Sequence, residues 1–123
     1  MTDADRELLE RAEAVAEQAY APYSKFHVGC AVRTRDGRVF EGVNVENAAY
    51  PLGVCAEKTT LGAAASAGVR PGEVEVLAVN ASPCGGCRQW FHEFRIERVV
   101  YRQADGEVAV TTPDALLPDT FVL

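Results

Sequence analysis

Two Asp-Gly dipeptides constrain this chain more than any other feature. Asp36-Gly37 and Asp105-Gly106 each stand between two apolar runs, the arrangement that closes a β-hairpin. The first would join strands over residues 27–34 and 38–45, the second strands over 99–102 and 108–112. Between them lie a helix-favouring run over 55–67 with Gly68 as its stop, a short apolar strand over 75–80, and a helix from Pro83 to about Phe94. Pro83 suits the first turn of that helix, where a missing N–H does no harm. Ahead of the first hairpin, Thr2-x-x-Asp5 predicts a capping box. Leu8, Leu9, Ala12, Val15, Ala16 and Ala19 then recur at helical spacing until Pro22. Residues 44–51 read as irregular and 113–117 as a last helical turn. The order α-β-β-α-β-α-β-β predicts an α/β fold, a three-layer α/β/α sandwich whose five-stranded sheet is mixed because both of its ends are hairpins.

Composition narrows what such a fold can do. The 123 residues fit a single domain over 1–123, and 48% hydrophobic with 24% charged residues is a globular balance rather than a disordered one. The longest run without a charge, residues 76–87, falls short of the roughly 18 apolar residues a membrane span needs. The acidic start Met1-Thr2-Asp3-Ala4-Asp5 lacks the layout of a secretory signal, so a cytoplasmic protein is expected. A net charge of −6 with no Lys/Arg cluster argues against nucleic acid and for a small neutral ligand. Six of the acids, Asp3, Asp5, Glu7, Glu10, Glu13 and Glu17, read as one solvated face of the first helix.

In such a compartment, thiols more often signal metal or redox chemistry than disulfides. Cys55 opens the second expected helix; Cys84 and Cys87, in Pro83-Cys84-Gly85-Gly86-Cys87, open the third. A helix N-terminus carries roughly half a positive charge and so favours thiolate. Two such ends could offset most of the charge of three thiolates around Zn²⁺, with Lys58 and Arg88 adding more. Three protein ligands leave the fourth tetrahedral position for water, as in catalytic zinc sites. Glu57, two residues from Cys55, is placed to move protons without binding metal. A closed site with Cys30 as fourth ligand and a redox C-x-x-C are the plainer alternatives. Cys30 is more simply a buried small thiol.

A Cys₃ zinc, a non-ligand Glu and P-C-x-x-C form the zinc deaminase signature. The chain resembles the small homotetrameric cytidine deaminases over nearly its whole length. Further matching segments are Ala21-Pro22-Tyr23-Ser24-Lys25-Phe26, Asn44-Val45-Glu46-Asn47-Ala48-Ala49-Tyr50, Ser82-Pro83-Cys84-Gly85-Gly86-Cys87-Arg88-Gln89, and Leu116-Leu117-Pro118 followed by Phe121. The resemblance implies one zinc per chain on Cys55, Cys84 and Cys87, with Glu57 as the proton carrier. It implies Phe26 against the base, Asn44 and Glu46 on the ribose hydroxyls, and Ala56 in the substrate site. Ala48, Tyr50 and Phe121 would complete neighbouring subunits' pockets in a homotetramer. The implied reaction is hydrolytic deamination of cytidine and 2′-deoxycytidine. The alternatives are a deaminase of a cytosine nucleoside antibiotic, as in the blasticidin-type relatives, and a non-catalytic zinc module. Two features depart from the family pattern: Lys58 replaces the usual arginine, and the link from Asn80 to Pro83 is unusually short.

Overall fold

The computed structural model describes all 123 residues, and both Asp-Gly turns close hairpins. β1 (Gly29–Thr34) pairs antiparallel with β2 (Val39–Val43), and β4 (Arg98–Arg102) pairs antiparallel with β5 (Val108–Thr111). β3 (Val74–Val79) runs antiparallel to β1 and parallel to β4, so the sheet order is β2-β1-β3-β4-β5. The mixed five-stranded sheet expected from the element order is therefore present.

Alternation along the strands divides the core in two. Ala31, Val76, Ala78 and Val100 face α1 (Asp3–Val15), where they bury Leu8, Leu9 and Ala12. Cys30, Val32, Leu77, Val79 and Val99 face the other way, onto α2 (Ala56–Ser66) and α3 (Gly85–Glu93), where they meet Leu61, Ala64 and Phe91. Two glycines allow backbones to approach. A Cβ on Gly29 would run into the Ala12 carbonyl and come within 2.6 Å of the Ala16 nitrogen. A Cβ on Gly42 would lie 2.6 Å from Thr59 Oγ1, so β2 can press against the first turns of α2. That approach lets Thr59, in the first turn of α2, donate its hydroxyl to the Val43 carbonyl at the end of β2.

Several local expectations shift. α1 stops at Val15 and continues as a 3₁₀ turn over Ala16–Gln18, short of the stripe drawn to Ala19. The chain leaves the helix because Tyr20 joins a backbone bridge, donating to the Asn44 carbonyl and accepting from the Glu46 N–H. His27 and Val28 lie outside β1, bonded by the Asn80 and Asn44 side-chain amides, with one backbone bond from Asn44 N–H to the Val28 carbonyl. Cys84 is the N-cap of α3, so Pro83 sits before the helix rather than in its first turn. A short α4 (Pro113–Leu116) follows β5.

The solvated acidic face of α1 also needs correction at Asp5. The capping box forms as read, with Asp5 N–H on the Thr2 hydroxyl. Yet the Asp5 side chain is fully buried, bonded by Arg98 Nε at 2.8 Å and Arg33 Nη2 at 3.1 Å. Burial pushes its carboxyl up, but hydrogen bonds from Arg98 and Arg33 outweigh this and bring it from 3.8 down to about 2. Glu13 likewise turns to Arg102 at 3.2 Å. Because the folded value is depressed, the stability Asp5 contributes is complete above the ordinary carboxylate value and fades as pH falls toward 2. Asp5→Asn is therefore expected to cost about 2 kcal/mol at pH 7. Urea denaturation should show this gap to wild type narrowing below pH 4; an equal gap at pH 7 and pH 2.5 would refute the assignment.

Candidate zinc centre and substrate cleft

The N-termini of α2 and α3 converge, and their positions dictate where the thiols go. Cys55 is the N-cap of α2, Cys84 is the N-cap of α3, and Cys87 lies in the first turn of α3. Neither capping cysteine uses its side chain as a cap, so the sulfurs turn toward each other. The three Sγ atoms all lie within 4.8 Å of one another, with Cys55 and Cys84 at 3.8 Å. Three sulfurs about 2.3 Å from a tetrahedral zinc would stand about 3.8 Å apart, so the donor set fits that ion in type and spacing. All four cysteines are free thiols, and Cys30 lies apart from the cluster, fully buried in β1.

The electrostatics ask for a cation. Burial raises Cys55, against a smaller lowering from the Cys87 thiol, and Cys84 and Glu57 raise it further; burial raises Cys87 too, followed by Glu57 and its two neighbouring thiols. At Cys84, burial is outweighed by the Cys87 N–H and the two neighbouring thiols, and the thiol is lowered. Three thiolates side by side are therefore costly without a metal, and metal binding would release their protons. The Lys58 ammonium lies over the turn between the thiols: a methyl on Gly86 would sit 3.7 Å from Nζ and 4.0 Å from Cys84 Sγ. Arg88 is different. Its guanidinium donates to the Pro83 carbonyl and the Leu116 carbonyl, both at 2.9 Å. Arg88 thereby ties the thiol turn to the C-terminal segment, its guanidinium still carrying its charge.

Glu57, in the first turn of α2, is only 4% exposed. Burial raises its carboxyl, against smaller lowering effects from its own backbone N–H, the Cys87 thiol and Lys58. It opens on a cleft of about 380 Å³ that also gathers Phe26, Asn44, Glu46, Cys55, Ala56 and Cys84. Phe26, Cys55 and Cys84 thus face one space although they are distant in sequence. Asn44 Oδ1 accepts from Val28 N–H and its Nδ2 donates to the Phe26 carbonyl, at 2.9 and 2.8 Å. Glu46 Oε1 accepts from the N–H groups of Tyr23 and Ser24 at 2.9 and 3.1 Å, and its Oε2 accepts from the Ser24 hydroxyl. These bonds, the Ser24 hydroxyl first, hold the Glu46 carboxyl below its ordinary range. One N–H of Asn44 and one lone pair on Oε2 stay available to a ligand.

Ala48, Tyr50 and Phe121 do not line this cleft. Tyr50 is 75% exposed, edge-on to Tyr23, over a neighbouring depression. Phe121 is 71% exposed, its carbonyl held by Gln89 Nε2 at 3.0 Å. Three residues to which the resemblance assigns no role, Ser24, Ser82 and Asn80, also belong here. Ser24 and Ser82 line the cleft, and Asn80 bonds the segment that carries Phe26. Only its place between a strand end and Ser82-Pro83-Cys84 could have pointed to Asn80.

A mixed α/β sandwich with three thiols at two helix N-termini, and a buried carboxyl beside them, defines the zinc deaminase class. The family model for the cytidine and deoxycytidylate deaminase zinc-binding region matches residues 2–103. The crystal structure of cytidine deaminase from Burkholderia pseudomallei superposes with a TM-score of 0.89 at 47% identity, covering 98% of this chain and all of the other. The cytidine deaminase of Sporosarcina psychrophila is 42% identical over 93% of this chain and 88% of its own length. The blasticidin-S deaminase of Bacillus cereus is 30% identical over 93% and 89%. The chain belongs to the cytidine and deoxycytidylate deaminase family.

Proposed function

We propose that this protein hydrolytically deaminates cytidine and 2′-deoxycytidine to uridine and 2′-deoxyuridine, a step of pyrimidine nucleoside salvage. The supporting observation is a buried carboxyl, Glu57, sharing one cleft with an aromatic ring, Phe26, and two of three convergent thiols, Cys55 and Cys84. Cys55, Cys84 and Cys87 hold one zinc per chain. When bound, zinc supplies a water whose pKa is brought toward 7. Glu57, raised by burial, would take one proton of the attacking water and pass it to N3 as the C4–O bond forms, then pass the second, from the new C4 hydroxyl, to the amino group as the C4–N bond breaks. Water and cytidine thus become uridine and ammonia. Phe26 packs on the base, while the free valences of Asn44 and Glu46 hold ribose hydroxyls. Ala56 offers only a methyl there and leaves room for the ring.

Ala48, Tyr50 and Phe121 are then the residues each subunit lends to its neighbours, which supports a homotetramer. Their exposure and their distance from their own chain's cleft agree with that use. No helix is long and apolar enough to cross a membrane. Four free thiols suit the reducing cytoplasm.

The cleft also separates nucleoside from nucleotide. Its lining residues include the carboxyls of Glu46 and Glu57 and no Lys or Arg. The lining offers a 5′-phosphate two carboxyls and no cationic partner, so deoxycytidylate is expected to have a kcat/KM about 100-fold below that of deoxycytidine. Ammonia release from cytidine, deoxycytidine, deoxycytidylate and blasticidin S, measured side by side, tests the whole assignment. Turnover of blasticidin S with none of cytidine would move the assignment to the antibiotic relatives. No release from any of them would end it.

A further inference from the structure

Residues 26–29 carry Phe26 into the cleft yet belong to no strand before Gly29. Besides the Ser24 hydroxyl on Phe26 N–H and the backbone N–H groups of Asn44 and Asn80 on the Val28 and Gly29 carbonyls, two side-chain amides hold their backbone. Asn44, just past β2, bonds the Phe26 carbonyl and the Val28 N–H, at 2.8 and 2.9 Å. Asn80, just past β3, does the same one residue further on. It accepts from Gly29 N–H at 2.9 Å and donates to the His27 carbonyl at 3.2 Å. In an extended chain, the carbonyl of one residue and the N–H two residues later point to the same edge, and the next such pair points to the opposite edge. A side-chain amide carries one acceptor and donors close together. Each asparagine therefore replaces a rung of the ladder, and the two grip opposite edges of the segment.

Asn80 also opens the short link to Cys84, and Ala81 and Ser82 of that link line the same cleft. Phe26, 61% exposed, has little packing of its own to hold it. We infer that Asn80 is a positioning residue for the reaction, tying the ring-bearing segment to the thiol-bearing link and so setting where Phe26 stands over the base. Asn80 acts through Phe26. The inference rests on the cleft accepting a cytosine nucleoside.

Steady-state kinetics on cytidine with the zinc-loaded protein test it, comparing wild type, Asn80→Ala, Phe26→Ala and the double variant. A stacked ring binds substrate and transition state alike, so its misplacement acts on KM. Asn80→Ala is expected to raise KM about three- to tenfold, with kcat within about twofold and zinc still one per chain. In the Phe26→Ala background, the same change is expected to alter kcat/KM by less than about twofold. Asn80→Asp, isosteric but without the donor to His27, is expected to raise KM at least as much. A wild-type KM in either Asn80 variant, or an equal loss with and without the Phe26 ring, overturns the inference. Hydrogen exchange over residues 26–29, read without substrate, separates this from failure of the functional assignment. Faster exchange in Asn80→Ala is expected whether or not cytidine is consumed, and unchanged exchange overturns the clamp.

Discussion

Glu57→Gln is expected to lower kcat for cytidine by about 10²- to 10⁴-fold while the protein keeps one zinc per chain. Glutamine has the shape of the carboxyl and cannot accept and return a proton. The side chain is 4% exposed and sits at the start of a regular helix, so the isosteric change leaves packing in place. Burial raises the native carboxyl above the ordinary glutamate value, the direction a proton carrier needs. Loss should therefore fall on kcat, with substrate binding retained. Metal analysis and single-turnover kinetics on the same sample check this. Turnover near that of wild type with zinc still bound would remove Glu57 from the chemistry.

Cys84→Ala is expected to lose the metal and all measurable turnover. Thiolate zinc sites contribute about 10–16 kcal/mol of binding free energy, so removing one of three ligands takes away about 4 kcal/mol, or roughly 10³-fold in affinity. Cys84 is the informative choice because its residue is exposed, whereas Cys87 belongs to the core and its replacement also disturbs packing. Cys30→Ala serves as the comparison: Cys30 lies outside the thiol cluster, so zinc content should stay at one per chain. Equal zinc in Cys84→Ala and wild type after dialysis would refute the ligand set; loss of zinc from Cys30→Ala would revive the closed four-thiol site.

The thiol site was legible because its signals are local. Cys55 and Cys84 precede helix-forming runs, and a residue placed there becomes an N-cap whatever the rest of the chain does. Glu57 was legible for the same reason, being tied to Cys55 by a single helical turn. The partners of Arg88 were not legible, because adjacency to Cys87 says nothing of direction; its guanidinium reaches the carbonyls of Pro83 and Leu116. Asp5 was misread because a capping acid at a helix start is usually solvated, and nothing near it in sequence announces Arg33 and Arg98.

Turn chemistry, strand alternation and helix caps are settled by groups a few residues apart, so the chain by itself determined its five strands, their hairpins and the helix starts that bear the thiols. The tertiary structure alone decided which distant polar groups meet. Asn80 reaches Gly29 and Asp5 reaches Arg98 only because β3, β1, β4 and α1 pack as they do. Such bonds join single donors and acceptors with no periodicity to reveal them, and they form only once burial of the apolar faces has fixed the strands in register.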